Sequence, residues 1–182
     1  TRARCGWRTG RTRSTGKQWP SSNWRSQDLP AERSAGVVAN PRLFVLTGGP
    51  GSGKTTVLAA LGKLGVPHVP EAARKIIQEQ MSSGGTALPW LDKEAYTLEM
   101  LRRSIVSFLE HTPAPLPLLS DRGIPDTLCY SRLAGTGPVR EIEEACRRYR
   151  YARTVFLAPP WKEIYRTDAE RKQDFTEAER TF

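Results

Sequence analysis

The segment at residues 48–55 reads Gly48-Gly49-Pro50-Gly51-Ser52-Gly53-Lys54-Thr55. It satisfies the pattern G-x-x-x-x-G-K-[ST] and lies between an apolar run at residues 43–46 and a helical pattern at residues 54–64. Glycine tolerates positive φ and has no Cβ, so successive backbone N–H groups in such a loop can turn toward one anion. Strand, glycine loop and helix in this order predict a phosphate-binding loop at the edge of a parallel sheet.

The residue types in the loop have separate tasks. Lys54 brings a cation to the β- and γ-phosphates, and Thr55 offers a hydroxyl to Mg²⁺. The helix that follows directs the positive end of its dipole at the anion. We therefore expect ATP or GTP with Mg²⁺ as cofactors; the alternative is a tight glycine-rich turn that binds nothing. The predicted nucleotide-binding residues are Gly48, Gly49, Pro50, Gly51, Ser52, Gly53, Lys54, Thr55 and Thr56.

Strand and helix patterns alternate on both sides of this loop. Besides the run at 43–46, short apolar runs predict strands at residues 66–69, 118–120 and 154–157. Such alternation is typical of an α/β domain with a parallel sheet, whose ligands bind at the carboxyl ends of the strands. The predicted helices cover residues 54–64, 71–81, 126–133 and 139–151, with a longer one capped by Asp92 and continuing to Leu109.

Two carboxylates follow predicted strands at the ligand edge. Asp121, next to Arg122, is expected to support Mg²⁺; the alternatives are a helix cap or a surface ion pair with Arg122. Glu71 is placed to accept the proton of an acceptor hydroxyl, or it simply lies favourably at the positive end of the helix it opens. Asp126 is a weaker candidate, because a helix N-cap explains it fully.

A basic segment near the end of the sequence offers further catalytic candidates. Arg166 and Arg171 are interleaved with acidic residues over a polar helical pattern. An arginine fork can clamp the charge on a phosphoryl group during transfer, which would make this segment a lid. The alternative is a solvated helix face, which is what most charge runs are.

Residues 1–40 have a different composition from the rest. They are rich in Arg, Ser, Thr and Gly, and we expect them to be disordered because they offer little apolar surface to bury. The net charge of the chain is +9, and residues 1–34 contribute +6 of it, from eight basic and two acidic side chains. This segment is either a solvated tail or an arm that binds nucleic acid.

The bulk composition limits the class of protein. A length of 182 residues is typical of one domain with an appendage, so we expect a single phosphate-loop domain at residues 41–182. No apolar run reaches the roughly 20 residues of a membrane span, and no signal sequence is evident, so a cytoplasmic location is expected. The three cysteines are far apart and show no metal-binding spacing.

Several short motifs together resemble P-loop kinases. They are the phosphate loop, Pro70-Glu71-Ala72-Ala73-Arg74, Asp121-Arg122-Gly123 and Tyr165-Arg166-Thr167-Asp168-Ala169-Glu170-Arg171-Lys172. More narrowly, residues 41–182 resemble small bacterial AAA family ATPases with a ribosylnicotinamide-kinase-like (NadR-type) domain. The resemblance implies a three-layer α/β/α P-loop NTPase fold with strand order 2-3-1-4-5. Because only four strands are predicted, we expect the last strand of that sheet to be missing.

The resemblance also implies roles for individual residues. Glu71 would activate the acceptor hydroxyl, Asp121 and Arg122 would form the acidic-arginine pair after the third strand, and Arg166 and Arg171 would be lid arginines. The leading hypothesis is phosphoryl transfer from ATP or GTP to a small-molecule acceptor. The alternatives are a nucleotide-dependent switch that acts through a partner, and a nucleic-acid-associated protein that uses its N-terminal arm.

Overall fold

The computed structural model describes residues 36–137, 139–165 and 175–181. Strands and helices alternate along these residues, which confirms the predicted α/β class. The strands are β1 (Val38–Ala39), β2 (Leu43–Gly48), β3 (His68–Val69), β4 (Leu118–Asp121), β5 (Tyr149–Arg150) and β6 (Val155–Ala158). The helices are α1 (Lys54–Lys63), α2 (Ala72–Ser83), α3 (Lys93–Glu110), α4 (Ile124–Ala134), α5 (Val139–Arg148) and α6 (Phe175–Thr181).

Four parallel strands form the central sheet, in the order β3-β4-β2-β6. In terms of the four predicted strands this is the order 2-3-1-4, as expected. The central position of β2 explains its composition, because Leu43 is 2% exposed and Val45 is 4% exposed. Asp121 is in register with Leu46, and Gly48 with Ala158, so the carboxyl ends of β4, β2 and β6 meet at one edge.

Helices cover both faces of the sheet. On the face that carries Leu43, the main core joins β2 and β3 to Phe108 of α3, Ile124 of α4 and Ile142 of α5. On the opposite face α1 contacts β2 and β4 and buries Leu58. The layers are therefore α/β/α.

The long third helix is capped as predicted. The side chain of Asp92 accepts a hydrogen bond of 2.9 Å from the backbone N–H of Ala95. A second, smaller core joins α3 to α2, where Tyr96 and Met100 pack with Ile76 and Ile77. This core fixes α2 beside the carboxyl end of β3, where Glu71 lies.

Two predicted boundaries are wrong. The helix expected at 139–151 ends at Arg148, because the next two residues form β5 and pair in parallel with β1. That pairing also orders residues 38–40, which lie in the segment expected to be disordered. Asn40 is 1% exposed, and its side-chain amide donates to the carbonyl of His111 and the hydroxyl of Thr112. The domain thus begins before residue 41; residues 1–35 lie outside the described part of the chain.

The open edge of the central sheet is β6. Within the described ranges its only strand neighbour is β2, and its side chains Val155, Phe156 and Leu157 are each about half exposed. The expectation that a fifth strand is missing stays a prediction, because residues 166–174 and 182 lie outside the described ranges. Among the described helices, none combines the length and the hydropathy needed to cross a membrane.

Candidate functional site

The phosphate loop connects β2 to α1 and is built on positive φ angles. Gly51 has φ 76° and Gly53 has φ 81°, values that L side chains rarely adopt. Gly53 directly precedes Lys54, the first residue of α1, so the loop opens onto the N-terminus of a helix. Thr55 and Thr56 are exposed in the first turn of α1. The backbone therefore has the shape required for an anion-binding loop.

The ammonium group of Lys54 is folded onto the loop. It donates to the carbonyl oxygens of Gly48 (3.0 Å) and Gly49 (2.8 Å) and to the hydroxyl of Ser52 (3.1 Å). Lys54 is only 6% exposed, and burial, together with Arg122, lowers the pKa of Lys54 to about 8. Asp121, Glu71 and Asp126 act in the opposite direction and raise this pKa, because their carboxylates lie close to the ammonium.

Other parts of the chain cover the outer surface of the loop. A methyl group added at Gly51 would lie 2.5 Å from the ring of Tyr165, and one added at Gly49 would lie 2.5 Å from the carbonyl oxygen of Ala178. Ala178 belongs to α6 and is fully buried. These glycines are therefore required for close approach as well as for backbone conformation.

An ion pair joins two of the predicted catalytic residues. Nε of Arg122 donates to Oε1 of Glu71 at 2.8 Å, and both side chains are 21% exposed. Arg122 has a φ of 68°, a conformation that residues other than glycine rarely adopt. Burial alone would lower the pKa of Arg122, but Glu71 and Asp126 outweigh it and raise the pKa. The structure thus brings Glu71, Arg122 and Lys54 into one cluster.

Asp126 makes more hydrogen bonds than the sequence indicated. It is not the N-cap of α4 but lies in the first turn, where its Oδ2 accepts the backbone N–H of Gly123 at 2.9 Å. Its Oδ1 accepts from Arg122 at 3.3 Å and from the hydroxyl of Thr47 at 2.5 Å. The spacing of four residues from Arg122 could have suggested this pair. Nothing in the sequence indicated the contact with Thr47, which spans 79 residues.

Asp121 is buried at the end of β4 and incompletely satisfied. It is 5% exposed, and its Oδ1 has no hydrogen-bond partner in the described part of the chain. Burial, followed by the charge of Glu71, raises the pKa of Asp121 to about 6. An unpaired, buried carboxylate oxygen at the end of the strand that pairs with β2 is the kind of hard ligand that Mg²⁺ takes from a protein. Asp121 therefore fits the chemistry of a metal ligand, and the role of the exposed Thr55 stays a prediction.

Larger metal clusters are not found. The described residues contain no group of three or more His, Cys, Asp or Glu side chains placed to hold a metal ion. A Mg²⁺ ion bound by one carboxylate, one hydroxyl and the oxygens of a nucleotide does not require such a group.

A cavity of about 730 Å³ adjoins the cluster. Glu71, Arg122 and Asp126 line it together with Met100 and Tyr130. Sequence reasoning did not single out the last two residues, because they lie on helices whose apolar pattern looks purely structural. The cavity is large enough for a small molecule next to the phosphate loop.

Two predicted catalytic residues cannot be placed. Arg166 and Arg171 lie outside the described ranges, so the predicted lid stays a prediction. Tyr165, just before that segment, and Phe175, just after it, form an edge-to-face ring contact with centroids 5.6 Å apart.

The chain matches one known protein family. A family model described as "AAA domain" matches residues 43–182, which is most of the chain and includes every element that contributes to the site. None of the curated proteins matches the chain.

Proposed function

This chain belongs to the AAA domain family, and we propose that it is a kinase. The family indicates the general activity, which is nucleotide binding with hydrolysis or phosphoryl transfer. In this proposal it transfers the γ-phosphoryl group of ATP or GTP to a hydroxyl group of a small-molecule acceptor. The observation that carries the proposal is the closeness of the Lys54 ammonium to three carboxylates, Glu71, Asp121 and Asp126, beside a cavity. A site for hydrolysis alone needs no such cavity.

The residues of the cluster can divide the work of transfer. The acceptor oxygen attacks the γ-phosphorus, the bond to the β–γ bridging oxygen breaks, and the nucleoside diphosphate leaves. The acceptor proton passes to Glu71, whose Oε1 is bound by Arg122 and whose Oε2 is left for the acceptor. Lys54 and the loop N–H groups stabilise the charge on the phosphoryl oxygens. We propose that Arg166 and Arg171 add to this stabilisation.

Asp121 and Thr55 would hold Mg²⁺. When bound, this ion neutralises negative charge on the β- and γ-phosphate oxygens. Although burial raises the pKa of Asp121 to about 6, this value lies below neutral pH, where most of the carboxylate is ionised and can bind a cation. Its proximity to Lys54 keeps the cation site and the phosphate site together.

A second candidate function is a nucleotide-dependent switch without a phosphorylated product. The observation in its favour is the direct contact of Tyr165 and α6 with glycines of the phosphate loop. Any movement of the loop on nucleotide binding would displace these elements, and a partner that contacts them would sense it. In such a switch Glu71 would have no catalytic role.

The test is a transfer assay with γ-labelled ATP and GTP in the presence of Mg²⁺. The acceptors to screen are nucleosides, ribosylnicotinamide and phospholipid head-group analogues, and Lys54→Ala provides the blank. We expect label in an acceptor, and we expect Glu71→Gln to abolish transfer while nucleotide binding by calorimetry is unchanged. Label found only in free phosphate would contradict the kinase proposal and support the switch.

A further inference from the structure

The residues that line the cavity beside the cluster form two chemically different groups, at two positions along β2. At the carboxyl end of β2, Thr47 and Asp126 are hydrogen-bonded to each other. At the other end, Ala152 donates its backbone N–H to the carbonyl of Leu43, and Arg153 follows it. Residues 43 and 47 are four positions apart on one strand, so the two ends are about 13 Å apart at a rise of about 3.3 Å per residue.

Two arginines at the far end lack acidic partners. Arg150 and Arg153 line the cavity, both are exposed, and within the described residues neither side chain makes an ion pair or a hydrogen bond. Arg122, at the near end, is by contrast neutralised by Glu71 and Asp126. On α5 the exposed Arg140 pairs with Glu144. Among the described residues that line the cavity, positive charge is therefore uncompensated only at Arg150 and Arg153.

The wall between the two ends is aromatic. Tyr149 and Tyr151 line it, and their rings are held in place by Phe108, with centroid distances of 5.4 and 4.9 Å. The hydroxyl of Tyr151 also accepts the backbone N–H of Ile124 at 3.3 Å. Tyr149 is almost fully buried, whereas Tyr151 is half-buried and is the ring of this wall that a ligand can contact. A fixed aromatic ring suits a ring-shaped molecule, because it loses little freedom when a ligand binds.

We propose that the acceptor of the phosphoryl group is itself a phosphomonoester, bound with its phosphate at Arg150 and Arg153 and its hydroxyl near Glu71. Two guanidinium groups match the charge of a phosphomonoester, which is close to −2 near neutral pH, and their planar forks match its oxygens. A body of roughly 13 Å spans the tyrosine wall between the ends. This inference rests on the proposed kinase function, since it names the class of acceptor for the same site.

The test measures acceptor binding separately from nucleotide binding. Glycerol 3-phosphate, ribose 5-phosphate and adenosine 5′-monophosphate are each compared by calorimetry with glycerol, ribose and adenosine. The protein carries Lys54→Ala, which weakens anion binding at the phosphate loop but leaves the far end of the cavity unaltered. We expect at least one phosphomonoester to bind tenfold or more tightly than its neutral counterpart, because a charge-assisted pair of this kind contributes about that much.

Charge-matched variants locate the binding site. In the same background, Arg150→Gln with Arg153→Gln should weaken phosphomonoester binding by about tenfold or more, whereas Arg140→Gln, which also removes a positive charge, should not change it. Circular dichroism of each variant verifies that it is folded. Succinate distinguishes the anion class, and we expect it to bind more weakly than the best phosphomonoester.

Several outcomes would overturn the inference. They are equal affinity for all three phosphomonoesters and their neutral counterparts, unchanged affinity in the double variant, an equal loss with Arg140→Gln, or tighter binding of succinate. The kinase proposal fails on a different result, the absence of any labelled acceptor with the unmodified protein. A labelled neutral acceptor would support the kinase and refute the phosphomonoester.

Discussion

At the scale of single residues, Asp121 combines two properties that are rarely found together without a ligand. Its carboxylate is almost fully buried and one of its oxygens is unpaired, so ionisation is costly in the isolated protein. The same features would make the binding of a cation to this carboxylate favourable. Its raised pKa, caused by burial and by Glu71, is typical of a carboxylate at a functional site.

This cost makes stability depend on pH in a defined direction. A carboxyl group whose pKa is raised on folding favours the folded state at pH below its unfolded pKa, and that contribution is lost as pH rises through about 6. In the absence of nucleotide and Mg²⁺, Asp121→Asn should therefore raise the free energy of unfolding at pH 7.5 by on the order of 2 kcal/mol. At pH 4 the variant should match the unmodified protein. Urea denaturation at both pH values measures this, and equal stability at pH 7.5 would contradict it.

Gly51 is the residue at which conformation and close approach coincide. We expect Gly51→Ala to reduce nucleotide affinity tenfold or more, because the methyl group would meet the ring of Tyr165 as well as an unfavourable φ. Gly65 provides a matched control: its φ is 85°, but a Cβ there meets nothing within 4 Å. Gly65→Ala should cost about 1–2 kcal/mol of stability and leave nucleotide affinity unchanged. Similar nucleotide affinities in the two variants would show that the contact with Tyr165 is unimportant.

At the scale of elements, the short ladder of β1 and β5 attaches the first described strand to the rest of the domain. Asn40 follows β1 and connects it to the carboxyl end of α3, through His111 and Thr112. The ladder also directs the chain from α5 toward β6. The arginines at the far end of the cavity belong to this connection, so the ladder bears on the shape of the site.

We expect Asn40→Ala to lower the free energy of unfolding by about 2–3 kcal/mol. The buried amide donates to His111 and Thr112 and accepts the backbone N–H of Arg42. Its removal leaves the His111 carbonyl and the Arg42 N–H without these partners, whereas the Thr112 hydroxyl still donates to Phe108. Thr112→Val keeps the bond to His111 and should cost about half as much. Urea denaturation with an unchanged m-value measures both effects. Equal costs for the two variants would place the stabilising contribution in Thr112 alone.

The elements that the sequence predicted are those with strong local patterns. The glycine loop, the Asp92 cap and the continuous apolar run of β2 carry enough local information to set strand and helix positions. The ladder of β1 and β5 carries none, because each strand has only two residues and the pairing joins positions more than 100 residues apart. The sequence did not indicate the contacts of Asp126 for the same reason, because its hydrogen bond with Thr47 joins α4 to β2.

At the scale of the whole molecule, the charge is divided unevenly. Residues 1–34 hold +6 of the net +9, whereas the rest, which includes the phosphate loop, holds +3. In the described ranges, the parallel sheet and both cores are formed by residues that follow residue 35. Folding and nucleotide binding should therefore be separable from whatever the basic segment does.

Deleting residues 1–35 tests this division. We expect unchanged affinity for ATP and GTP and weaker non-specific binding to duplex DNA at low salt, because the deletion removes most of the net positive charge. Fluorescence anisotropy over a series of salt concentrations measures the DNA affinity. Undiminished, salt-dependent DNA binding after the deletion would assign that interaction to the folded domain.

The hydrogen bonds that hold Lys54 against its own loop have a consequence for how nucleotide enters. At pH 8 the Lys54 amino group is neutral in about half of the molecules. A triphosphate that replaces the loop oxygens as its partner would favour the charged form, so the amino group would take up a proton from the buffer. Association would then be coupled to proton uptake. The measured heat should differ between phosphate and Tris at pH 8, in proportion to their ionisation enthalpies, and the difference should vanish at pH 6.5, where the amino group is already charged.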